Sequence, residues 1–424
     1  NITPESIVND LRYLQLLSRS FPTIADASTE IINLEAILNL PKGTEHFLSD
    51  IHGEHQAFNH VLKNASGAIK RKVNEIFSNT LRDFEKKELC TLIYYPEQKL
   101  ELIRQREKDL DDWYLITLNQ LVRVCRNVSS KYTRSKVRKA LPKEFSYIIQ
   151  ELLHESSDEP NKSAYVDQII NTIISTGRAN DFIIAMCNLI QRLTIDLLHI
   201  IGDIYDRGPG AHIIMDTLCN YHNFDIQWGN HDILWMGAAC GSRTLVATVL
   251  ANSIHYNNLE VIETGYGISL RPLSIFANEV YKDCDTHRFA VKLTGADADQ
   301  YTEKDKLLSA RMHKAITVIL FKLEGQKLMR CPEFGMNDRL LLDKIDYAGK
   351  TVTIGDKTYP LEDCDFPTVD PTDPYALTAE ESQVIDQLTA SFQRSEKLQK
   401  HIRFLYSKGG LYKVFNGNLL FHGC

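Results

Sequence analysis

The sequence predicts an α/β protein in which parallel strands form one sheet and long helical segments lie between them. The strand prediction rests on three short apolar runs, at residues 46–50, 195–201 and 224–228. Glycine accompanied by aspartate, histidine or asparagine follows each run within three positions, which is typical of turns. Ligands of open α/β sheets bind at the carboxyl ends of the strands. We therefore expect these polar residues to meet at one sheet edge and to form an active site.

The composition is that of an ordinary globular protein, with 43% hydrophobic and 24% charged residues over 424 positions and a net charge of −7. These values exclude disordered and collagen-like chains. No apolar run approaches the roughly 18 to 20 residues of a membrane-spanning helix, and no signal peptide is recognisable. Nine cysteines without a CxxC pair argue against a thiolate zinc site. We expect a cytoplasmic protein with neither nucleic acid nor membrane as a partner.

Helical periodicity covers most of the remaining chain, at residues 1–40, 54–197, 211–219, 233–330 and 378–406. The last of these helical stretches opens with Thr378 and has Glu381 three positions later, which is a capping-box pattern. Residues 350–360 predict a β-hairpin around Gly355-Asp356, and residues 411–421 predict strand. The chain is thus expected to contain a core sheet with the active site at its edge, interrupted by large helical insertions.

These elements predict five consecutive parts of the chain. A first core part carries the N-terminal helices and the first polar motif, and a helical insertion follows it. The core then returns with two further motifs, a second insertion adds helices and a hairpin, and the last part rejoins the core. Their predicted bounds are 1–64, 65–190, 191–245, 246–405 and 406–424.

Three clusters carry the candidate chemistry, at residues 50–54 (DIHGE), 202–208 (GDIYDRG) and 229–232 (GNHD). Their carboxylate, imidazole and amide groups suit Mn²⁺, Fe, Zn²⁺ or Mg²⁺. Two such ions about 3.5 to 4 Å apart can bind the attacking and leaving oxygens of a phosphoryl transfer. The clusters therefore favour a two-metal hydrolase of phosphate esters.

A phosphate substrate also needs a cation on its oxygens and a proton donor for its leaving group. The guanidinium of Arg207 can bind phosphate in a bidentate manner, which lysine cannot do. His231 can protonate the leaving alkoxide, with Asp206 fixing its tautomer. The alternative for Arg207 is a purely structural ion pair with Asp203 or Asp206.

The motif order DxHG, GDxxDRG, GNHD resembles the signature of the calcineurin-like metallophosphoesterases. The resemblance implies an αββα sandwich with two metal ions. It also implies that Asp206 partners the general acid His231 and that Arg207 binds the phosphate. The metal ligands implied by the motifs, with Asp203 bridging both ions, are Asp50, His52, Asp203, Asn230 and His422.

The distances between the motifs point to one family within this superfamily. In this sequence 151 positions separate His52 from Asp203 and 191 separate His231 from His422. Together with residues 256–272 and 337–347, this architecture resembles the class III bacterial fructose-1,6-bisphosphatases over essentially the whole chain. The resemblance implies a Mn²⁺-dependent enzyme of gluconeogenesis. Such an enzyme hydrolyses the 1-phosphate of D-fructose 1,6-bisphosphate, a small sugar bisphosphate, to fructose 6-phosphate and phosphate, and a homo-oligomer is possible.

Three alternatives follow from the sequence. The same chemistry could act on a phosphoprotein or a dinucleoside polyphosphate. The superfamily pattern continues beyond the HG motif at His422-Gly423 to a GH motif, so this sequence resembles a fragment cut at Cys424. A truncated site could bind sugar phosphate or metal without turnover. The basic run at residues 131–143 is either a solvated helix face or an anchor for a second phosphate or an anionic effector.

Overall fold

The computed structural model describes residues 3–154, 160–293 and 301–423, and these divide into two units by their internal packing. The first unit contains Asn1–Glu45 and Leu62–Asp196, and the second contains His46–Val61 and Leu197–Cys424. All three polar motifs and His422 belong to the second unit. Parts of the predicted insertions, at residues 155–159 and 294–300, lie outside the described residues.

Helices dominate the chain up to residue 194, as the periodicity predicts. Their bounds are α1 Pro4–Asn9, α2 Leu11–Ser20, α3 Ile24–Leu38, α4 His55–Asn64, α5 Ala68–Ile76, α6 Asp83–Tyr94, α7 Pro96–Arg106, α8 Leu110–Ser129, α9 Arg134–Ala140, α10 Ser146–His154, α11 Pro160–Ser175 and α12 Ala179–Thr194.

The core of the first unit forms where the apolar faces of α5, α8 and α12 meet. Ile69, Leu121 and Phe182 are each fully buried there, one from each of these helices. Asp109 caps helix α8 just before its first residue, and its carboxylate accepts a hydrogen bond from the backbone N–H of Asp112 at 3.1 Å. The apolar spacing and the polar cap therefore act together to define this helix.

A four-stranded sheet with the order β1-β2-β3-β7 positions the motifs of the second unit. Its strands are β1 Glu45–Ser49, β2 Leu197–Ile201, β3 Phe224–Gln227 and β7 Gly409–Gly410. Strand β2 pairs with β3 in parallel, with Leu198 opposite Phe224, and β3 pairs with β7 in parallel. The α/β class predicted from the sequence is confirmed. Each polar motif follows the carboxyl end of β1, β2 or β3.

Further helices and short strands complete the second unit. The helices are α13 Ala211–Cys219, α14 Asn230–Ala239, α15 Arg243–His255, α16 Arg271–Val280, α17 Glu303–Arg330, α18 Ala379–Arg394 and α19 Glu396–Lys408. The remaining strands are β4 Ile345–Asp346, β5 Thr351–Ile354, β6 Lys357–Pro360, β8 Tyr412–Phe415 and β9 Asn418–Phe421.

Three local predictions for this unit are confirmed. Strands β5 and β6 form the predicted hairpin, and Thr378 caps α18 in a capping box with Glu381. The strand predicted at residues 411–421 is present as the two strands β8 and β9. They form an antiparallel hairpin, because Asn416 and Gly417 both adopt positive φ and reverse the chain. Asn-Gly is the pair that such a tight turn favours.

Across the described ranges, none of the helices is both long enough and apolar enough to cross a lipid bilayer.

A buried ion pair fastens α17 to the start of α18. Lys322 Nζ donates to Glu381 Oε2 at 2.8 Å and to the carbonyl of Thr368 at 2.6 Å, and neither charged side chain is exposed. The same Glu381 oxygen accepts the backbone N–H of Thr378. Removal of one buried partner leaves the other charge without compensation.

We expect Lys322→Met to lower the free energy of unfolding by about 3–5 kcal/mol, because Glu381 then remains buried without its cation. Urea denaturation would measure this loss. The control is Lys304→Met on the exposed surface of the same helix, which should change stability by no more than about 0.5 kcal/mol. Adding Glu381→Gln to Lys322→Met should restore part of the loss. A single variant as stable as the control would contradict this account of the pair.

Candidate metal centre and active site

The first two motif loops are joined by backbone hydrogen bonds into one structure. The N–H groups of His52 and Gly53 donate to the carbonyls of Asp203 and Ile204, at 2.8 and 2.9 Å. In return Gly208 donates to the carbonyl of His52 at 2.7 Å. A Cβ atom at Gly53 would lie 2.3 Å from the carbonyl oxygen of Gly208, so only glycine allows this approach.

Three predicted ligands converge beside this junction. One donor atom each from Asp50, His52 and Asp203 lies within 4.8 Å of the other two. His52 Nε2 is 3.7 Å from Asp50 Oδ1 and 3.9 Å from Asp203 Oδ2. All three residues have positive φ, between 50° and 52°. Such strained backbone in non-glycine residues concentrates at functional sites.

His422 adds a fourth donor from the far end of the chain. Its Nδ1 lies 3.2 Å from the carbonyl oxygen of Ile201, which can only accept, so Nδ1 donates this hydrogen bond. Nε2 lies 3.3 Å from Asp203 Oδ2. In the neutral ring the lone pair of Nε2 would point at this carboxylate, which is favourable when a cation lies between them.

These donors fit a divalent cation. The set combines two carboxylates with two imidazoles, and no thiolate takes part. Such ligands suit Mn²⁺, Zn²⁺ and Fe better than they suit a soft, thiolate-binding metal. Asp203 Oδ2 lies within 4 Å of the Nε2 atoms of both imidazoles, so it is the point that they share.

The third motif begins α14 next to Asp203. The backbone N–H of His231 donates to Asp203 Oδ1 at 3.1 Å. A Cβ at Gly229 would lie only 2.1 Å from the same oxygen, so this position also depends on glycine. Asn230 is the first residue of α14 and is exposed. The third motif is therefore held against the second by the carboxylate of Asp203.

Asp206 links the predicted general acid to the predicted phosphate ligand. Its carboxylate is 4% exposed, accepts from Arg207 Nε at 2.8 Å, and lies 3.5 Å from His231 Nε2. His52 Nε2 is 3.7 Å from the same side chain. The backbone carbonyl of Asp206 accepts a hydrogen bond from Asn258 Nδ2 at 3.1 Å. The structure thus brings together all the predicted catalytic residues.

Arg207 is paired and yet accessible. Its hydrogen bond to Asp206 is the main cause that raises the pKa of the guanidinium. The side chain is 57% exposed, and Cζ lies 5.5 Å from the centre of the Tyr256 ring. Within the described ranges, only Nε of Arg207 has a hydrogen-bond partner, so both Nη groups are available to a ligand.

Asp232 is a residue whose importance the sequence analysis did not recognise. It is fully buried and accepts hydrogen bonds from the backbone N–H groups of Ile204, Tyr205 and Gly229, at 2.9 to 3.1 Å. Burial raises the pKa of Asp232 to about 7; Asp203 also raises it, while the backbone donors lower it. The sequence feature that could have identified Asp232 is its position as the third residue of a helix that begins after Gly229, where an acid often caps the backbone.

The basic run at residues 131–143 belongs to the first unit. Lys131 Nζ donates to Thr44 Oγ1 and to the carbonyl of Thr194, at 2.9 and 2.8 Å, and burial is the main cause that lowers its pKa to about 8. Lys136 pairs with Asp196. These two lysines therefore have structural contacts. An anionic ligand for the rest of the run stays a prediction.

Comparison of the sequence with known proteins assigns the chain to a family. Residues 12–424 match the Firmicute fructose-1,6-bisphosphatase family. The chain is 70% identical over 422 residues to the class 3 fructose-1,6-bisphosphatase of Bacteroides thetaiotaomicron, covering all of this chain and 63% of that protein. The Clostridium beijerinckii relative named fructose-1,6-bisphosphatase class 3 1 is 60% identical over 424 residues, covering all of this chain and 64% of its own length. The chain thus spans less than two thirds of these curated relatives. No solved structure matches it.

We expect Gly53→Ala to weaken Mn²⁺ binding by roughly 10- to 100-fold, because the new methyl group would force the first two motif loops apart. Equilibrium dialysis with Mn²⁺ would measure the change. Gly267→Ala is a matched control: its φ of +68° resembles the +71° of Gly53, but a Cβ there meets nothing within 4 Å. Equal Mn²⁺ affinity in the two variants would show that the close approach does not organise the site.

Proposed function

We propose, since this chain belongs to the Firmicute fructose-1,6-bisphosphatase family, that it carries the catalytic site of a metal-dependent fructose-1,6-bisphosphatase. This enzyme hydrolyses the 1-phosphate of D-fructose 1,6-bisphosphate to fructose 6-phosphate and phosphate, a reaction of gluconeogenesis. The observation that carries the proposal is the convergence of Asp50, His52 and His422 on the carboxylate of Asp203, with Asp206 and His231 alongside.

The proposed metal ligands are those implied by the motifs, with Mn²⁺ as the proposed ion. Asp50 and His52 would serve one ion, Asn230 and His422 the other, and Asp203 both. The cation pair supplies positive charge to the phosphoryl oxygens and makes water more acidic. The approach of both His52 and His422 to the same oxygen of Asp203 supports the bridging role.

The residues around this centre have separate tasks in the proposed reaction. Arg207 binds oxygens of the phosphoryl group through its free Nη groups. His231 donates a proton to the sugar oxygen while the bond from phosphorus to that oxygen breaks. Water supplies the oxygen that becomes part of the released phosphate. Asp206 Oδ1 lies 3.5 Å from His231 Nε2, where it can orient the imidazole ring.

The αββα sandwich of the calcineurin-like metallophosphoesterases is the proposed architecture. It is supported by the parallel pairing of β2 with β3 and by the motifs that follow β1, β2 and β3. The five predicted parts of the chain remain our proposal for its organisation. Cytoplasmic location and a homo-oligomeric state stay predictions.

We expect His231→Ala to lower kcat for fructose 1,6-bisphosphate by at least about 100-fold and to keep its bound Mn²⁺, because the acid is lost and the metal ligands are not. Steady-state kinetics on the full-length gene product and metal analysis would test this. His222→Ala is the control, since His222 precedes β3 whereas His231 follows it. A variant with normal kcat would remove His231 from the role of acid.

The substrate is tested by comparing fructose 1,6-bisphosphate with a phosphoserine peptide and a dinucleoside polyphosphate. We expect kcat/KM to favour the sugar bisphosphate by at least about 100-fold, because a sugar pocket adds contacts that the other substrates lack. A preference for either alternative would replace the proposed substrate. Binding of fructose 6-phosphate without turnover of any substrate would indicate a non-catalytic module.

A further inference from the structure

A second cation lies close to Arg207, on the same tyrosine ring. Lys292 Nζ is 4.9 Å from the centre of the Tyr256 ring, and Arg207 Cζ is 5.5 Å from that centre. The two charged groups are therefore no farther apart than these two distances combined. Cations are attracted to the face of an aromatic ring, so Tyr256 holds both in one small region.

The backbone fixes Lys292 at this place. Its N–H donates to the carbonyl oxygen of His255, the last residue of α15, at 2.8 Å. Tyr256 follows His255 directly in the chain. The lysine and the ring that it approaches are thus anchored to the same helix end.

Lys292 has no carboxylate partner within the described residues, and it is exposed. Two other cations of this unit do have such partners. Arg288 pairs with Glu362, and Lys306 pairs with Glu303 at 2.9 Å. An exposed lysine beside an arginine, with no acid to compensate it, is a point of positive potential that favours an anion.

The side chains beside Lys292 at the end of α15 are histidines, and the acid next to Arg207, Asp206, is paired with that arginine. The imidazole rings of His255 and His313 lie 5.2 Å apart, and His313 Nδ1 lies 3.0 Å from the carbonyl of Phe289. Burial lowers the pKa of His255, and His313 and Lys292 lower it further. This agrees with a local environment that is already positive.

We propose that Lys292, positioned by Tyr256, binds the second phosphate of a sugar bisphosphate, the one that is not cleaved. This inference rests on the proposed function and assigns the specificity for a bisphosphate to a particular side chain. Arg207 would hold the phosphate that reacts, and Lys292 would act as a mobile point charge on the distal one. A small bisphosphate could contact both cations at once.

Fructose 6-phosphate is a suitable probe, because it retains only the phosphate assigned to Lys292. In the full-length gene product we expect Lys292→Gln to raise the Kd of fructose 6-phosphate by roughly 10-fold or more, measured by calorimetry. The Kd of inorganic phosphate should stay within about threefold of the wild-type value. KM for fructose 1,6-bisphosphate should rise by a similar factor with kcat little changed. Hydrolysis of p-nitrophenyl phosphate, which has no second phosphate, should stay within about threefold.

Two further variants complete the experiment. Lys292→Arg keeps the charge and should retain most of the affinity for fructose 6-phosphate. Lys304→Gln removes another exposed lysine of the same unit and should behave as the wild type.

The outcomes separate this inference from the proposed function. The assignment of the second phosphate is wrong if Lys292→Gln leaves the affinity for fructose 6-phosphate unchanged. It is also wrong if the substitution lowers the hydrolysis of fructose 1,6-bisphosphate and of p-nitrophenyl phosphate equally. Either result is possible for a wild type that is a fructose-1,6-bisphosphatase. If the wild type hydrolyses p-nitrophenyl phosphate but not fructose 1,6-bisphosphate, the proposed substrate fails, and the inference fails with it.

Discussion

The carboxylate of Asp203 is the group around which the site is organised. One oxygen accepts the backbone N–H of His231, and the other faces the imidazoles of His52 and His422. Asp203 therefore touches all the segments that supply predicted ligands: the turn after β1, the start of α14 and the end of β9. Its own backbone carbonyl accepts from His52, which fixes the first segment from a second side. Displacement of this residue would alter every one of these contacts.

This arrangement concentrates negative charge, and the surroundings compensate for it in different ways. Asp50 is about half exposed, at 53%, so water screens it. Asp206 is buried but has the guanidinium of Arg207 as its partner. Asp232 has no cation within the described residues and relies on three backbone N–H groups; burial and the nearby Asp203 raise its pKa. Cations bound at Asp203 would offset the remaining repulsion.

This geometry strains the backbone. Asp50, His52 and Asp203 all adopt positive φ, which costs on the order of 1–3 kcal/mol for each such residue. The backbone hydrogen bonds between the first two loops and the three donors to Asp232 keep these conformations in place. Elsewhere in the same unit, buried pairs such as Lys322 with Glu381 stabilise the helices that surround the sheet. A site with strained loops thus depends on a rigid unit around it.

Local patterns were enough to predict the α/β class, the strand before each motif, the hairpin at Gly355-Asp356 and the cap at Thr378, because hydrophobic periodicity, turn residues and capping boxes act over a few positions. The approach of His422 to Asp203, 219 positions away, and the hydrogen bond by which Asp232 supports the loop of Tyr205 are visible only in the folded chain. The same is true of the contacts that Lys292 and Arg207 make with the ring of Tyr256. Such contacts join segments far apart in the chain, and their geometry is set by packing and backbone hydrogen bonds that no local pattern records.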